Sequence, residues 1–309
     1  MIQLVVLGGG RGARLRPLTN TKHKLELSFL GQPLFWHSIY PLLDQISSIV
    51  FLLDQDSHSL EHQIDEYLGD GAIIRREAEP LGSGTALRQA YDLLDEIFLC
   101  IAGDLIYELG GPLDLTLPPE VDGRVWVYER TNAQAFGITE LDQNRIIRFR
   151  EKPLIDPSES YHVNTGILLI RRSTLLQLTD ALVFQSFEQT VLPRLAEQGR
   201  LEAAYGIRNW FDVGTREGFL DAQRHQLTGL ALQANNSLVA PSSVVRDSIL
   251  RDSVIDGATV VDSVIENSLI TDGVQIQGMT IIDSIIGQNA ILEPGTTVRS
   301  KIRAHSDER

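Results

Sequence analysis

The sequence is poor in cysteine, with Cys100 as its single thiol among 309 residues. An intrachain disulfide is therefore impossible, and since this thiol lies in the apolar run IFLCIAGD, we interpret it as a buried packing residue. An apolar run of the roughly 18–20 residues that a membrane-spanning helix needs is also missing. The start, MIQLVVLGGG, lacks the basic segment and cleavage site of a signal peptide. We therefore expect a cytoplasmic protein without a membrane partner.

Positive charge is scarce as well, because 27 lysine and arginine residues stand against 41 aspartate and glutamate residues and leave a net charge of −14. Such a balance argues against nucleic acid as a partner. One stretch departs from it. Five basic residues precede the first acidic residue, Glu26, and these are Arg11, Arg14, Arg16, Lys22 and Lys24. A basic segment in an acidic protein predicts a binding site for a small polyanion.

Strand-like and helix-like segments alternate in the first part of the chain. Buried strands are predicted at Ile2–Leu7, Ser48–Leu53 and Glu96–Ile101, and helices at Leu34–Leu43, Leu60–Tyr67 and Thr85–Leu94. This alternation predicts an α/β fold with a Rossmann-like, mostly parallel mixed sheet flanked by helices. Ligands of such sheets bind beyond the carboxyl ends of the strands, where Gly8, Asp54 and Asp104 fall.

The middle of the chain has a more antiparallel pattern. Strands are predicted at Phe136–Glu140, Arg145–Phe149 and Val163–Ile170, and helices at Phe184–Leu195 and Arg216–Leu227. Beyond residue 235 a phrase of Asp or Asn, then Ser, then two aliphatic residues recurs. It begins at Asp247, Asp252, Asp262, Asn267 and Asp283.

Short strands that repeat between glycine turns predict a solenoid, and this one resembles the left-handed β-helix of hexapeptide-repeat proteins. A β-sandwich is the alternative, although sandwiches do not repeat a phrase. We predict a catalytic domain at 1–228, a linker at 229–236, a short β-helix of hexapeptide-like repeats at 237–299 and a polar tail at 300–309.

The loop after the first strand, from Gly8 to Thr19, interleaves glycines with basic residues. Glycines allow backbone N–H groups to approach phosphate oxygens closely. Arg14 can offer a forked contact to a phosphate, and Lys24 a compact charge. The loop therefore predicts a site for a nucleoside triphosphate.

Three other glycine-rich loops were considered for this segment. The Gly-Lys-Ser/Thr ending of a P-loop and the H-R-D segment of a kinase are both absent. The spacing of Gly8, Gly10 and Ala13 formally fits the dinucleotide fingerprint, but Asp54 comes too late to serve as its acidic residue. None of the three describes this segment.

The same stretch, together with Lys24 and the GQPL segment at Gly31, resembles the signature of the sugar-1-phosphate nucleotidylyltransferases. That family includes mannose-1-phosphate guanylyltransferases and glucose-1-phosphate thymidylyl- and uridylyltransferases, and several members carry a left-handed β-helix. Further segments match in the family's order: Glu79–Ala86, Ala102–Asp104, Phe136–Ile138, Glu151–Pro153, Val163–Gly166 and Trp210–Thr215. Ala13, His23 and Glu26 depart from the family pattern.

This resemblance implies that the protein transfers a nucleotidyl group from an NTP to a sugar 1-phosphate, with Mg²⁺ as cofactor. The catalytic residues implied are Arg14, Lys24 and Asp104. The nucleotide-binding residues implied are Leu7, Gly8, Gly9, Gly10, Gly12, Gly82, Ser83, Gly84 and Thr85. The sugar-phosphate-binding residues implied are Gly137, Glu151, Lys152 and Asn164. The metal ligands implied are Asp104 and Asp212.

The base and the sugar are not fixed by these motifs. GTP with mannose 1-phosphate or a related sugar is the preferred pair, and UTP or dTTP with glucose 1-phosphate is the alternative. A non-catalytic regulatory homologue is a further hypothesis, based on the three departures. We expect the β-helix to support self-association into a homo-oligomer. An additional acyltransferase activity is not expected, because the repeat region has no histidine before His305.

Overall fold

The computed structural model describes residues 1–10, 12–77, 81–177, 186–230 and 235–304. The chain forms two compact units, the first from segments 1–10 and 38–210 and the second from segments 11–37 and 211–309. Within the described residues, no helix combines the length and the apolar character that crossing a membrane requires. The domains predicted from the sequence are continuous ranges, whereas each of these units combines two separate segments. The predicted domain limits stay a prediction.

The first thirteen strands extend to residue 212. They are β1 (Ile2–Leu7), β2 (Ser28–Phe29), β3 (Gln32–Pro33), β4 (Ile46–Asp54), β5 (Ala72–Glu77), β6 (Ile97–Ala102), β7 (Leu105–Leu109), β8 (Gly123–Arg130), β9 (Gly137–Asp142), β10 (Arg145–Glu151), β11 (Tyr161–Arg171), β12 (Leu201–Ala204) and β13 (Ile207–Asp212). The α-helices are α1 (Leu34–Ile39), α2 (His58–Leu68), α3 (Ser83–Gln89), α4 (Phe187–Glu197) and α5 (Arg216–Gly229).

Twelve short strands follow. They are β14 (Leu238–Val239), β15 (Val244–Arg246), β16 (Ile249–Arg251), β17 (Val254–Ile255), β18 (Thr259–Val261), β19 (Val264–Glu266), β20 (Leu269–Ile270), β21 (Gln275–Gln277), β22 (Thr280–Ile282), β23 (Ile285–Ile286), β24 (Thr297–Arg299) and β25 (Ile302–Arg303). Turns of 3₁₀-helix lie at Ala13–Leu15, Leu18–Asn20, Lys24–Glu26, Tyr40–Gln45, Gly69–Gly71, Tyr91–Leu93, Ala133–Ala135 and Arg172–Gln177.

The first unit is built on a nine-stranded sheet with the order β5-β4-β1-β6-β11-β8-β12-β10-β9. Strands β5, β4, β1 and β6 run parallel, whereas β11 is antiparallel to both β6 and β8. Strand β12 is parallel to β8, and β10 is antiparallel to β12 and β9. The mixed sheet with a parallel core confirms the α/β class predicted from the sequence.

The core of this unit lies between the sheet and helices α3 and α4. Val5 of β1 and Phe98 of β6 are fully buried, as the continuous apolar runs predict for strands covered on both faces. Leu87 from α3 and Val191 and Leu195 from α4 belong to the same core cluster. Helices α3 and α4 therefore exclude water from the face of the sheet that they cover.

Several element boundaries differ from those predicted. The helix expected at Leu34–Leu43 ends at Ile39 and continues as a 3₁₀ turn, because Pro41 has no N–H to donate. The helix expected at Thr85–Leu94 ends at Gln89 before another 3₁₀ turn. Helix α4 begins at Phe187, and residues 184 and 185 of the expected helix lie outside the described residues.

Strands β5, β7, β8, β12 and β13 were not anticipated, and two of them, β5 and β7, lie at the candidate site. Strand β5 contains Arg75 and Arg76 and alternates in exposure, so it lacks the continuous apolar run of its neighbours. Strand β7 begins one residue after Asp104, in a segment for which the sequence analysis predicted no element. Both omissions affect the site, because β5 ends at Glu77 and β7 holds the turn that carries Asp104.

In the second unit the short strands stack in three parallel sheets. One ladder pairs Leu238 with Val254, Val254 with Leu269, Leu269 with Ile285 and Ile285 with Ile302. Inward-facing side chains form one apolar column, including Val260, Ile276 and Ile281, all 1% exposed or less. Successive coils thus bury their faces on one another, and the sheets are consistent with the predicted left-handed β-helix.

The recurring Asp-Ser phrase has a structural cause at its first position. The Asp or Asn adopts a left-handed backbone with φ between 42° and 50° at Asp247, Asp252, Asp262, Asn267 and Asp283. Asp and Asn tolerate this conformation better than other side chains that are not glycine. Each of these residues therefore turns the chain from one sheet of the coil to the next.

The serine of the phrase joins neighbouring coils. Ser268 Oγ donates to the carbonyl of Glu266 at 2.7 Å and accepts the N–H of Ser284 at 3.1 Å. Ser284 repeats the arrangement, since its Oγ donates to Ile282 and accepts the N–H of Lys301 at 3.2 Å. Both serines are fully buried, so the ladder satisfies backbone groups that water cannot reach.

We expect Ser268→Ala to lower the thermal unfolding midpoint, because it leaves the buried N–H of Ser284 without its acceptor. A buried unsatisfied donor costs about 1–3 kcal/mol. Ser242→Ala, at an exposed position in the same unit, is the matched control. Equal midpoints for the two variants, measured by circular dichroism, would show that the ladder contributes nothing.

Candidate active site

The glycine-rich loop begins at the centre of the parallel sheet. Gly8 N donates to the carbonyl of Leu52 at 2.8 Å, and Gly103 N donates to the carbonyl of Leu7 at 3.0 Å. These bonds extend the β1 ladder on both sides beyond its last residue, Leu7. The loop therefore leaves the sheet from its carboxyl edge, where ligands of α/β proteins bind.

A cavity of about 280 Å³ opens beside this loop. Its lining residues are Leu7, Gly9, Gly10, Glu77, Gly82, Ser83 and Ala86. The cavity thus brings together five of the predicted nucleotide-binding residues from two distant segments of the chain. Arg11, Glu79 and Pro80, which belong to the same sequence motifs, lie outside the described residues.

One of these lining residues requires glycine, and a second leaves little room for a side chain. Gly82 has φ 94° and ψ 161°, a region that residues with a side chain hardly populate. A Cβ on Gly9 would lie 3.2 Å from Glu77 Oε1, so a side chain there would crowd the carboxylate. The backbone at these two positions can therefore lie close to a ligand in the cavity, because no side chain intervenes.

Glu77 is a cavity residue that the sequence analysis missed. It is the last residue of β5, is 5% exposed, and pairs in register with Asp54 of β4. Burial raises the pKa of Glu77 to about 7, and the nearby charge of Asp54 adds to this effect. The carboxyl group can therefore gain or lose its proton near neutral pH. It was missed because β5 itself was not recognised.

Ser83 is tied to helix α4 by two hydrogen bonds. Its Oγ donates to Glu188 Oε2 at 2.6 Å and accepts the N–H of Phe187 at 2.9 Å. Gly84 and Thr85 are buried within the first turn of α3. Ser83 contributes to the cavity wall with its hydroxyl already engaged, and the nucleotide-binding role of all three residues stays a prediction.

Asp104 lies in the tight turn between β6 and β7, which a buried serine holds in place. The Oγ of Ser38 is 2.8 Å from the carbonyl oxygen of Gly103 and 2.9 Å from that of Leu105. It also accepts the N–H of Leu105 at 2.9 Å. Ser38 therefore bonds to both residues that flank Asp104. No sequence pattern indicates this contact between residues more than 60 positions apart.

The predicted sugar-phosphate residues lie on adjoining strands of the same unit. Gly137 of β9 pairs in register with Glu151 of β10. A Cβ on Gly137 would lie 2.8 Å from Glu151 Oε2, so only glycine fits. Lys152 Nζ is 3.1 Å from Glu151 Oε1. Asn164 lies on β11, which pairs with β9 through Val163 and Ile138. The Oδ1 of Asn164 accepts the N–H of Gly166 at 2.9 Å.

In the second unit, two predicted cations meet a predicted metal ligand. Arg14 Nη2 is 3.8 Å from Asp212 Oδ2. A Cβ on Gly214 would lie 2.6 Å from Arg14 Nη2, 2.8 Å from Asp212 Oδ1 and 3.1 Å from Lys24 Nζ. The three charged side chains therefore converge on the face of Gly214. Asp212 Oδ1 also accepts the N–H of Gly214 at 2.8 Å.

Asp212 could have had a purely structural role as the cap of helix α5. The cap is instead Thr215, whose Oγ1 accepts the N–H of Gly218 at 3.1 Å. The Asp212 side chain is therefore not needed to begin the helix.

Lys24 is a buried cation whose proton is held less tightly than usual. Burial lowers its pKa to about 8; Asp212 partly opposes this effect and Arg14 adds to it. Gly12 contributes to the burial, because its φ of 59° and the 3.1 Å between its would-be Cβ and Lys24 Cβ both require glycine. At neutral pH Lys24 remains charged in a poorly hydrated position.

Two of the departures from the family pattern form one structural element. The His23 side chain accepts the N–H of Leu25 at 3.2 Å, and Glu26 Oε2 accepts the N–H of His23 at 2.7 Å. This reciprocal arrangement is a capping box around the 3₁₀ turn that begins at Lys24. The two substitutions therefore support each other, and they keep the position of the lysine defined.

The predicted metal ligands suit magnesium in their chemistry. Asp104 belongs to the first unit and Asp212 to the second, and both offer carboxylate oxygens. Mg²⁺ is usually held by one or two carboxylates together with substrate phosphates and water. The described part of the chain contains no group of three or more His, Cys, Asp and Glu side chains arranged for a metal.

Taken together, a glycine loop at the carboxyl edge of a parallel sheet and a cavity beside it define a nucleotide-binding α/β protein. The family model for nucleotidyl transferases matches residues 3–229. The chain belongs to the nucleotidyl transferase family.

The names of relatives agree with this assignment. The chain is 28% identical over 268 residues to a mannose-1-phosphate guanylyltransferase catalytic subunit beta from Danio rerio, with 79% of this chain and 73% of that protein covered. It is 28% identical over 240 residues to the bifunctional protein GlmU of Methanocaldococcus jannaschii, covering 72% of this chain but only 54% of that relative. It therefore spans about half of GlmU.

A fold comparison finds HddC from Yersinia pseudotuberculosis complexed with GMP-PN, with a TM-score of 0.58 and 22% identity. The alignment covers 72% of this chain and 98% of that structure, and at this identity it shows a shared fold.

We expect Gly214→Ala to reduce kcat/KM for nucleotidyl transfer by at least about 100-fold, because the methyl group would displace Arg14 or Asp212. The matched control is Gly229→Ala, where a Cβ would meet nothing within 4 Å. Steady-state rates of both variants, with thermal midpoints to confirm folding, test this. Equal rates would refute the convergence at Gly214.

Proposed function

We propose that the protein transfers a nucleotidyl group from an NTP to a sugar 1-phosphate, producing an NDP-sugar and pyrophosphate. The observation that carries this proposal is the convergence of Arg14, Lys24 and Asp212 on Gly214. Two cations and a carboxylate suit a polyphosphate with its divalent ion. The names of the relatives, a mannose-1-phosphate guanylyltransferase and GlmU, support the same reaction.

In the proposed reaction, a phosphate oxygen of the sugar 1-phosphate attacks the α-phosphorus of the NTP and pyrophosphate leaves. The nucleophile is already anionic, so the chain needs to supply orientation and charge rather than a general base. Lys24 and Arg14 neutralise the phosphates of the NTP and of the departing pyrophosphate. Lys152, Glu151 and Asn164 orient the sugar phosphate. Mg²⁺, with Asp104 and Asp212 as proposed ligands, would stabilise the negative charge that develops in the transition state.

We further propose that the nucleotide is GTP, and Glu77 is the reason. Guanine carries two adjacent donors, N1–H and the N2 amino group, whereas uracil and thymine have a single N–H between two carbonyls. An ionised carboxylate is an acceptor only and matches the guanine edge. Glu77 lines the cavity beside Gly9 and Gly10. We retain mannose 1-phosphate or a related sugar as the preferred acceptor.

The decisive experiment is a matrix of GTP, ATP, UTP, dTTP and CTP against several hexose 1-phosphates, with pyrophosphate release as readout. We expect the highest kcat/KM with GTP and mannose 1-phosphate, and loss of activity in EDTA or in Asp104→Asn. The highest rate with UTP or dTTP and glucose 1-phosphate would favour the alternative pair. Absence of pyrophosphate release from every pair would favour a non-catalytic homologue.

The Glu77→Gln substitution tests the choice of base. Glutamine offers one donor and one acceptor, so it fits the uracil edge and leaves a donor opposed to guanine. We expect kcat/KM for GTP to fall by about 10²-fold or more, and the preference to shift towards UTP or dTTP. An unchanged GTP-to-UTP ratio, measured in competition with both nucleotides present, would exclude Glu77 as the base-reading residue.

The pH dependence of kcat/KM for GTP tests both shifted groups. Accepting from guanine requires ionised Glu77, which is lost as pH falls through its pKa of about 7. Phosphate binding requires charged Lys24, which is lost as pH rises through its pKa of about 8. We therefore expect a bell-shaped profile with a narrow maximum between these values.

Two variants separate the limbs of this profile. Lys24→Arg should extend the alkaline limb, because a guanidinium stays charged above pH 12. Glu77→Gln should flatten the acid limb. Since titration of the substrate is common to all three enzymes, identical profiles would mean that neither residue controls them.

Residence in the cytoplasm and homo-oligomerisation through the β-helix complete the proposal. Both rest on the sequence features given above, and light scattering of the purified chain measures the second directly.

A further inference from the structure

Arg130, the last residue of β8, holds its guanidinium against two aromatic rings. Its central carbon lies 4.8 Å from the ring centroid of Phe136 and 5.8 Å from that of Trp210. Nε donates to the carbonyl of Thr131 at 3.2 Å. The rings attract the cation through its faces and restrict its motion, while the N–H groups at its edge remain available for an anion.

Phe136 and Trp210 each form a hydrogen bond with a residue that belongs to the proposed sugar-phosphate set or adjoins it in the chain. The carbonyl of Phe136 accepts the N–H of Lys152 at 3.1 Å. Trp210 Nε1 donates to the carbonyl of Thr165 at 2.9 Å, and Thr165 follows Asn164 in the chain. Arg130 therefore contacts the ring of Phe136, and the backbone N–H of Lys152 bonds to the carbonyl of the same residue. The guanidinium is therefore placed next to the proposed sugar-phosphate subsite.

Without Arg130, the proposed sugar-phosphate subsite has too little positive charge to match a phosphate group. Lys152 is already paired with Glu151 at 3.1 Å, so the two together offer an anion little net charge. A phosphate monoester carries a charge of about −1.5 to −2 at neutral pH. A further cation is needed to hold it.

Arg130 differs from its neighbours on the sheet in having no carboxylate partner. Arg124 pairs with Glu202, and Arg171 pairs with Asp122. Within the part of the chain that the structure describes, Arg130 makes no such pair, although it is half-buried in a protein of net charge −14. Carboxylates are plentiful here, so a partly desolvated arginine without one is a candidate for an anion supplied by a ligand.

We propose that Arg130 binds the phosphate of the sugar 1-phosphate as a second cation beside Lys152. This inference rests on the proposed function, because it assigns a further residue to the acceptor site of that reaction. Forked donation by a guanidinium suits phosphate oxygens, and the rings of Phe136 and Trp210 hold the fork ready before the substrate arrives.

The test compares Arg130→Gln and Arg130→Lys with Arg172→Gln. Arg172 is a matched control, since its guanidinium also stacks on a ring, 5.0 Å from that of Tyr91, and bonds to a carbonyl, that of Leu94. We expect Arg130→Gln to raise KM for the sugar 1-phosphate by about 10- to 100-fold while KM for GTP changes less than about twofold. Arg130→Lys should recover part of the loss, and Arg172→Gln should behave as the wild type.

A second readout does not depend on turnover. Inorganic phosphate is titrated calorimetrically into the wild type and into both variants. It should bind to Arg130→Gln at least about tenfold more weakly than to Arg172→Gln. Thermal midpoints of the variants show whether any loss comes from unfolding, and Arg130→Lys, which keeps the charge on the rings, tests the proposal if Arg130→Gln is unstable.

Several outcomes would overturn the inference. Equal KM values for sugar 1-phosphate in Arg130→Gln and Arg172→Gln would mean that Arg130 only covers the rings. A loss confined to hexose 1,6-bisphosphate would mean that it binds a group elsewhere on the sugar. If the wild type releases no pyrophosphate from any pair, the proposed function fails by itself, and phosphate calorimetry still decides whether Arg130 binds an anion.

Discussion

Charge convergence at Gly214 is the constraint on which the candidate site residues of the second unit depend. Arg14, Lys24 and Asp212 come from segments almost 200 positions apart, and the space that a side chain at residue 214 would fill is the space in which they meet. A Cβ at residue 214 would lie between 2.6 and 3.1 Å from all three side chains, so any residue other than glycine would force their ends to move apart. Their approach would be unfavourable if all had the same sign, and Asp212 partly offsets the repulsion between the two cations. A triphosphate with its divalent ion would complete this balance.

Burial shifts the pKa values of two ionisable groups in opposite directions, downwards for Lys24 and upwards for Glu77. Lys24 is desolvated, so its pKa falls to about 8, and a phosphate bound there as proposed would meet a cation with little bound water to displace. Glu77 is desolvated at the end of β5, so its pKa rises to about 7. Both pKa shifts require that the side chain be held in its buried position. The capping box of His23 and Glu26 fixes the turn of Lys24, and the pairing of β5 with β4 fixes Glu77. Residues that depart from the family pattern can therefore support the site rather than weaken it.

Glycine and serine perform the positioning in both units. Gly9, Gly137 and Gly214 each leave room for a carboxylate or a cation that a methyl group would displace. Ser38 bonds to both neighbours of Asp104, and Ser268 and Ser284 carry the hydrogen-bond ladder of the β-helix. Small residues recur because the groups they support are backbone or charged, and both need close approach with exact hydrogen-bond partners.

The sequence by itself determined the α/β class, the repeat of the β-helix and the glycine and charge pattern of the loop that we propose binds phosphate. These depend on local periodicity and composition, which a chain displays without folding. Tertiary structure alone decided that Glu77 lines the cavity beside the glycine loop, that Ser38 holds the Asp104 turn and that Arg130 stacks on Phe136 and Trp210. Strand β5 has no apolar run to reveal it, and the other contacts join residues far apart in the chain. Such contacts follow from how the sheet packs, which no short window of sequence records.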